Sequence, residues 1–225
     1  MFQWRIGSAS RTTAQSSKEP AMKTLLLIRS SILLGDGQSN RLADRYVAAW
    51  QAANPEGRVI VRDLAQDPLP HLDLARVGAF TTPAERRTPE QQALVAQSDA
   101  LIAELQGADV VALGLPLYNF GIPSTLKAYF DHVARAGITF RYTANGAEGL
   151  VKGKQVIVFT TRGGLYRGLP HDTQTPFVRN FLGFLGMTNV QFVHAEGLAM
   201  GDEPRAKGLQ AAEAQIDALL EPVTA

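Results

Sequence analysis

Short uninterrupted apolar runs alternate along this chain with stretches of helical period. Lys23 to Ile28 (KTLLLI) is such a run, the pattern of a strand covered on both faces as in a parallel sheet. After a polar, glycine-bearing loop, Ser39 or Asn40 can cap a helix in which Leu42, Tyr46, Val47 and Trp50 recur at helical spacing, ending near Asn54-Pro55. Arg58 to Arg62 (RVIVR) reads as a second strand, and a long proline-bearing connection follows from Leu64 to Thr88. Pro89 sits where a helix can start, sustained by Leu94, Ala100, Leu101 and Leu105 until Gly107. Val110 to Leu115 is a third strand, and Pro123-Ser124 opens a helix through Arg135. From Ile138 to Lys154 the pattern lapses around Asn145-Gly146, a hairpin-turn signal, so this stretch reads as an excursion off the sheet. Val156 to Thr160 and Val190 to Ala195 complete five strands, and Ala206 to Leu220 is a closing helix. Five apolar strands separated by helices predict a doubly wound α/β sheet rather than a sandwich.

The first 21 residues lack this patterning. They are rich in Ser, Thr and Ala and read as a disordered N-terminal extension, with the folded domain spanning 22–225. A start assigned upstream of a true start at Met22 is favoured over a basic targeting segment. Removing Arg5, Arg11, Lys18 and Glu19 from the count takes the net charge from +1 to −1. A near-neutral chain has no electrostatic case for nucleic acid or an acidic membrane, and no stretch has the length of a membrane span. These features place the protein in the cytoplasm. With no cysteine there is no disulfide, thiolate nucleophile or Cys-ligated metal, so the chemistry must come from oxygen and nitrogen groups or from a borrowed cofactor. His71, His132, His171 and His194 lack metal-ligand spacing, and no metal site is expected.

In a doubly wound sheet, ligands bind beyond the carboxyl ends of the strands. The loop after the first strand, Ser30 to Asn40, offers hydroxyls, two glycines and backbone N–H groups converging on a helix N-terminus, which suits a phosphate monoester. Gly35-x-Gly37-x-x-Asn40 is also a near miss of the dinucleotide fingerprint, with Asp63 as its ribose acid. Gly37-x-Ser39 resembles a nucleophile elbow lacking its closing glycine. A capping loop without a ligand is the plain alternative. After the third strand, Pro116 to Pro123 flanks Asn119 with Tyr118 and Phe120, a setting for a flat heteroaromatic ligand, although Phe120 alone is as consistent with packing. After the fourth, Thr161-Arg162-Gly163-Gly164 lets backbone N–H groups approach a ligand closely.

Taken together, RSSILLGDGQSN, PLYNFGIPSTLKAYFDHVARAGITFRYTANGAEGLVKGK and TRGG followed by FLGFLG resemble the FMN-dependent NADH-azoreductases, also described as quinone reductases. The resemblance implies a flavodoxin-like fold with strand order 2-1-3-4-5 and one FMN per subunit. It also implies a homodimer, and ping-pong hydride transfer from NADH or NADPH to quinones or azo compounds with no side chain as nucleophile. Position by position, it assigns the FMN phosphate to Ser31, Gly37, Gln38 and Ser39. Leu117, Tyr118, Asn119 and Phe120 run beside the isoalloxazine, and Thr161, Arg162, Gly163 and Gly164 contact its other edge. Phe120 and Phe184 line the substrate pocket, though periodicity alone makes Phe184 equally a core residue. Gly37 stands where the family often has Ser, Leu117 where it often has Met, Thr161 where it often has Ser, and Tyr166 where some members have His. Two other classes stay open: a non-catalytic flavodoxin-type electron carrier, which would be expected to be more acidic, and a cofactor-free hydrolase using Ser39.

Overall fold

A computed structural model describes residues 22–221. The expectation of disorder for residues 1–21 lies outside the described residues. The chain runs β1 (Thr24–Arg29), α1 (Gln38–Ala53), β2 (Arg58–Asp63), α2 (Leu74–Thr81), α3 (Pro89–Gly107) and β3 (Val110–Pro116). It continues through α4 (Ser124–Val133), β4 (Phe140–Thr143), β5 (Gly146–Gly149), β6 (Gln155–Thr161), α5 (Gln174–Leu185), β7 (Asn189–Ala195) and α6 (Asp202–Leu220). Five strands form one parallel sheet in the order β2-β1-β3-β6-β7, and β4 and β5 form a separate antiparallel hairpin. With the hairpin set aside, this is the predicted 2-1-3-4-5 order.

Strand alternation sorts the apolar runs onto two faces. Leu25 and Leu27 of β1, Ala112 of β3 and Ile157 and Phe159 of β6 pack under α1 and α6, meeting Leu42, Tyr46, Trp50 and Ile216. Leu26, Ile28, Leu113 and Val158 point the other way, against Leu101 and Leu105 of α3, Leu126 and Phe130 of α4, and Leu182 of α5. Both faces are covered, which is why these strands lack the polar alternation of a half-exposed sheet. No helix among the described residues is long and apolar enough to cross a membrane.

Local chemistry sets the helix starts. Thr88 and Gln91 form a reciprocal capping box ahead of Pro89, and the Asp73 carboxylate accepts from the Arg76 amide to start α2. The short α2 does not appear in the sequence pattern because its apolar Leu74 and Val77 face outward, Leu74 being 88 % exposed. The helix α5 is likewise absent from the coarse strand-and-helix reading. The hairpin differs by one residue from expectation: Thr143 pairs with Gly146, so Ala144-Asn145 form the loop and Gly146 takes φ +111° just after it. That is a two-residue turn on Ala144-Asn145, with regular pairing up to Thr143 and Gly146, rather than a turn centred on Asn145-Gly146.

The hairpin is locked to the end of α5 by two glycines. A Cβ on Gly149 would lie 2.1 Å from the Gly186 nitrogen and 2.2 Å from the Leu185 carbonyl carbon, and the Val151 amide donates to the Leu185 carbonyl at 2.8 Å. Gly149→Ala should therefore destabilise the protein by about 3 kcal/mol, as over-packing against backbone does. Thermal unfolding checks this, and a Tm within a degree of wild type would mean the hairpin is not docked as described.

Candidate active site

Three loops at the carboxyl ends of β1, β3 and β6 converge on one cleft. Ser30 Oγ donates to the Gly114 carbonyl at 2.7 Å, tying the first loop to β3. Buried Ser31 accepts from the Leu33 amide at 3.2 Å, and its Oγ lies 3.3 Å from the Tyr118 hydroxyl, which joins the first loop to the second. The Leu117 amide donates to the Thr161 carbonyl at 2.9 Å, joining the second loop to the third. Gly114 allows α1 to approach β3, since a Cβ there would stand 2.8 Å from Asn40 Oδ1.

The first loop ends in a set of unused donors. Gly37 caps α1 without a side chain, and no acidic residue occupies the first turn. The amides of Gln38, Ser39 and Asn40 donate to no group among the described residues. Ser39 is fully buried and its hydroxyl has no partner. A buried hydroxyl left unsatisfied beside three free amides at a positive helix end is unfavourable unless an anion completes it. This loop fits a phosphate group: of the expected residues Gln38 and Ser39 offer free donors and Ser31 a buried hydroxyl, the Gly37 amide donates instead to the Leu34 carbonyl at 3.2 Å, and Asn40 adds a free amide that was not expected.

Backbone strain marks the second loop. Asn119 and Phe120 hold φ of +49° and +62°, inside a tight turn closed by paired hydrogen bonds between Tyr118 and Gly121 at 2.9 and 3.1 Å. Leu34 in the first loop has φ +54°, so all three non-glycine residues at positive φ among the described residues lie in these two loops. Each such residue costs roughly 1–3 kcal/mol, and such strain concentrates where geometry serves a site. Thr173 Oγ1 donates to the Phe120 carbonyl and Gln174 Nε2 to the Pro116 carbonyl at 2.9 Å, so the start of α5 braces the turn. Gln174 Oε1 remains buried without a partner. Sequence reasoning missed Thr173 and Gln174, because only the docking of α5 brings them here. A cavity of about 610 Å³ opens between Ile32 and Leu117 to Asn119, and a neighbouring one of about 480 Å³ between Phe120 and Phe177.

Across the cleft, the carbonyls of Gly163 and Gly164 accept from Ala199 and Gly197, while their own amides donate to nothing among the described residues. Those two N–H groups are the free donors of the third loop. Phe120, 55 % exposed, meets Tyr166 edge-to-face at 5.7 Å, so two aromatic rings bridge the second and third loops.

Two expected residues stand elsewhere. Arg162 does not face the cleft: its guanidinium is fully buried, pairing with Asp172 at 3.0 and 3.1 Å, Glu196 at 3.2 Å and Thr175 Oγ1 at 2.6 Å. Its amide donates to Ala195 and its carbonyl accepts from Leu198, so it has no group left for a ligand except an inward Nε. Through this buried network Arg162 holds the third loop in place. Phe184 packs against Phe140 at 4.3 Å, ten residues along α5 from Gln174, which is about 15 Å of helix. It lines neither cavity of its own chain's cleft.

The rival readings lose their partners. Asp63 accepts from the amides of Ala65 and Gln66, a turn of its own strand end, and is not presented to a ribose. Ser39, the nucleophile of the hydrolase reading, has no hydrogen-bonded histidine to act as its base, since its hydroxyl has no partner among the described residues. No group of three His, Asp or Glu able to hold a metal occurs among the described residues.

An open parallel sheet whose three carboxyl-end loops close on a phosphate cradle defines the flavodoxin-like class. This chain belongs to the flavodoxin-like fold family, whose profile matches residues 22–220. It is 58 % identical over 197 residues to an FMN-dependent NADH:quinone oxidoreductase of Paraburkholderia phymatum, covering 88 % of this chain and all of the relative. It is 56 % identical, with the same coverage, to FMN-dependent NADH:quinone oxidoreductase 6 of Burkholderia lata. Among solved structures, an azoreductase from Bacillus anthracis superposes with a TM-score of 0.80 at 26 % identity, over 88 % of this chain and 99 % of that one.

Proposed function

We propose that this protein is an FMN-dependent oxidoreductase that passes two electrons from NADH to quinones and reductively cleaves aromatic azo compounds. The observation that carries this reading is the donor set of the cleft: free amides at Gln38, Ser39 and Asn40 on one side and at Gly163 and Gly164 on the other. Relatives alike over their whole length carry that activity in their names, and an azoreductase shares the fold.

FMN, when bound, supplies the two-electron exchange itself. Ser31 and Ser39 would hold the phosphate through their hydroxyls, and Gln38, Ser39 and Asn40 would hold it through their backbone amides, with Gly37 leaving room beside Ser31. Leu117, Tyr118, Asn119 and Phe120 present backbone and ring edges along one side of the flavin, their turn held rigid by Thr173 and Gln174. The Gly163 and Gly164 amides offer hydrogen bonds to negative charge on the opposite edge, in a fixed arrangement that needs no reorganisation. Phe120 and Tyr166 wall the acceptor pocket. No side chain of the cleft serves as nucleophile, in keeping with the absence of cysteine.

The active unit is a homodimer. Leu72, Leu74 and Val77 are exposed apolar residues that closely follow His71 along the chain, His71 itself lining the Phe120–Phe177 cavity, and a second copy would cover them. Phe184, remote from its own cleft, is then available to the partner's. The protein acts in the cytoplasm.

Purified protein should be yellow, absorb at about 450 nm, sediment as a dimer, and oxidise NADH only when a quinone is added, with parallel double-reciprocal lines. A colourless protein that gains no activity on adding FMN would sink the proposal. Flavin without acceptor-dependent turnover would leave an electron carrier instead.

A further inference from the structure

The first loop separates its acceptors from its donors. The carbonyls of Ser31 and Leu33 accept from the amides of Leu34 and Asp36 at 3.2 and 3.0 Å, and the Gly35 carbonyl accepts from Arg41 Nε at 3.3 Å. The Leu34 carbonyl is held twice, by the Gly37 amide at 3.2 Å and by Asn40 Nδ2 at 2.7 Å. The amides of Gln38, Ser39 and Asn40 meanwhile donate to nothing among the described residues. Successive free N–H groups attract an anion and a loose carbonyl oxygen repels it, so a phosphate cradle depends on keeping its carbonyls occupied.

Asn40 is the side chain that fixes the Leu34 carbonyl. It is fully buried in the first turn of α1, yet reaches back six residues to the loop. Chemistry defines its orientation: only the amide nitrogen can donate to a carbonyl, which leaves Oδ1 on the side of Gly114, where a Cβ would stand 2.8 Å from it. That oxygen is buried without a partner. A carboxamide whose oxygen goes unsatisfied is a poor stabiliser, because the orphan offsets the bond its nitrogen makes. Leu34 is unfavourable in its own right. Its φ of +54° is left-handed, and its side chain, 41 % exposed, is too little buried to enforce that conformation. The hydrogen bonds on its backbone hold it instead. One contact, Asn40 Nδ2 to the Leu34 carbonyl, thus joins a buried orphan to a strained residue at the edge of the phosphate cradle.

We propose that Asn40 is a positioning residue for the cofactor phosphate. Its side chain touches no ligand. It locks Leu34 in the left-handed conformation and keeps that carbonyl engaged inside the loop, so that the groups left for the anion are N–H groups and hydroxyls. The role rests on the protein binding FMN and concerns the phosphate end of that cofactor.

Fluorescence titration of the full-length apoprotein with FMN, and with riboflavin, which lacks the phosphate, tests it. Asn40→Ala should weaken FMN at least about tenfold, or roughly 1.4 kcal/mol, and leave riboflavin within about twofold of wild type. Leu34→Val, an exposed change whose β-branched side chain is strongly disfavoured at φ +54°, should reproduce that split without touching the core. Leu34→Gly takes the same φ freely, keeps the carbonyl, and should bind FMN within about threefold of wild type. If Asn40→Ala does not fold, the two Leu34 variants decide. FMN affinity unchanged in Leu34→Val or in folded Asn40→Ala, or FMN and riboflavin weakened alike, would overturn the role while leaving a flavoprotein. Wild-type protein that binds no FMN would overturn the flavin chemistry and this role together.

Discussion

Arg162→Met should cost about 3–5 kcal/mol of stability, the expected penalty for removing one partner of a buried ion pair. The guanidinium is fully buried, and its partners Asp172 and Glu196 are only 8 % and 15 % exposed, so both carboxylates would be left with little solvent to replace it. Arg162→Lys should rescue only part of the loss, because an ammonium cannot reach Asp172 bidentately while also serving Glu196 and Thr175. The pH dependence has a defined sign. Burial acts to raise the Asp172 carboxyl, but hydrogen bonds from Thr175 and the charge of Arg162 outweigh it and hold the group below its ordinary value. A depressed carboxyl contributes stability that is present above its unfolded pKa and lost as pH falls through its folded value. The gap between wild type and Arg162→Met in denaturant unfolding should thus be full at neutral pH and narrow in acid. FMN affinity should also drop, since the same network fixes the loop that aims the Gly163 and Gly164 amides. A variant that unfolds like wild type and keeps its flavin would mean that the buried network does not hold the loop.

Arg162 also shows what the sequence could and could not tell. The four residues Thr161 to Gly164 were legible as a unit at the end of a strand, because short apolar strands followed by small residues mark the carboxyl edge of a parallel sheet. Which way each side chain turns was not legible. It depends on Asp172 and Glu196, ten and thirty-four residues away, and no local pattern announces a pairing at that distance. Phe184 is ambiguous for a related reason: its helical spacing fits core and pocket equally, and only the path of α5 away from Gln174 separates it from its own cleft. The strand order emerged from the resemblance and was met, whereas α2 stayed hidden because its apolar side faces out. Hydrophobic periodicity reads burial, and an exposed apolar helix escapes it.

Gly37→Ala should weaken FMN binding by about a hundredfold, or ~2.7 kcal/mol. The backbone at Gly37, φ −66° and ψ 124°, is open to any residue, so the effect is not conformational. It is steric: a Cβ there would stand 2.2 Å from Ser31 Oγ and 2.6 Å from Ser31 Cβ, pushing the hydroxyl away from Tyr118 and closing the cradle. A serine at this position, frequent in the family the sequence resembles, brings the same Cβ, so Gly37 and the present placement of Ser31 belong together. Ser39→Ala is the complementary change. Its hydroxyl is buried and unpartnered without ligand, so deleting it should leave the apoprotein as stable as before or more so, by about 1 kcal/mol, while FMN affinity falls about tenfold. Opposite signs for apo stability and ligand affinity at one residue are what separate a binding group from a structural one. Flavin fluorescence titration of the apoprotein, set beside its unfolding curve, measures both. If Ser39→Ala lowers apo stability and leaves FMN binding unchanged, the hydroxyl has a partner inside the protein and the phosphate lies elsewhere.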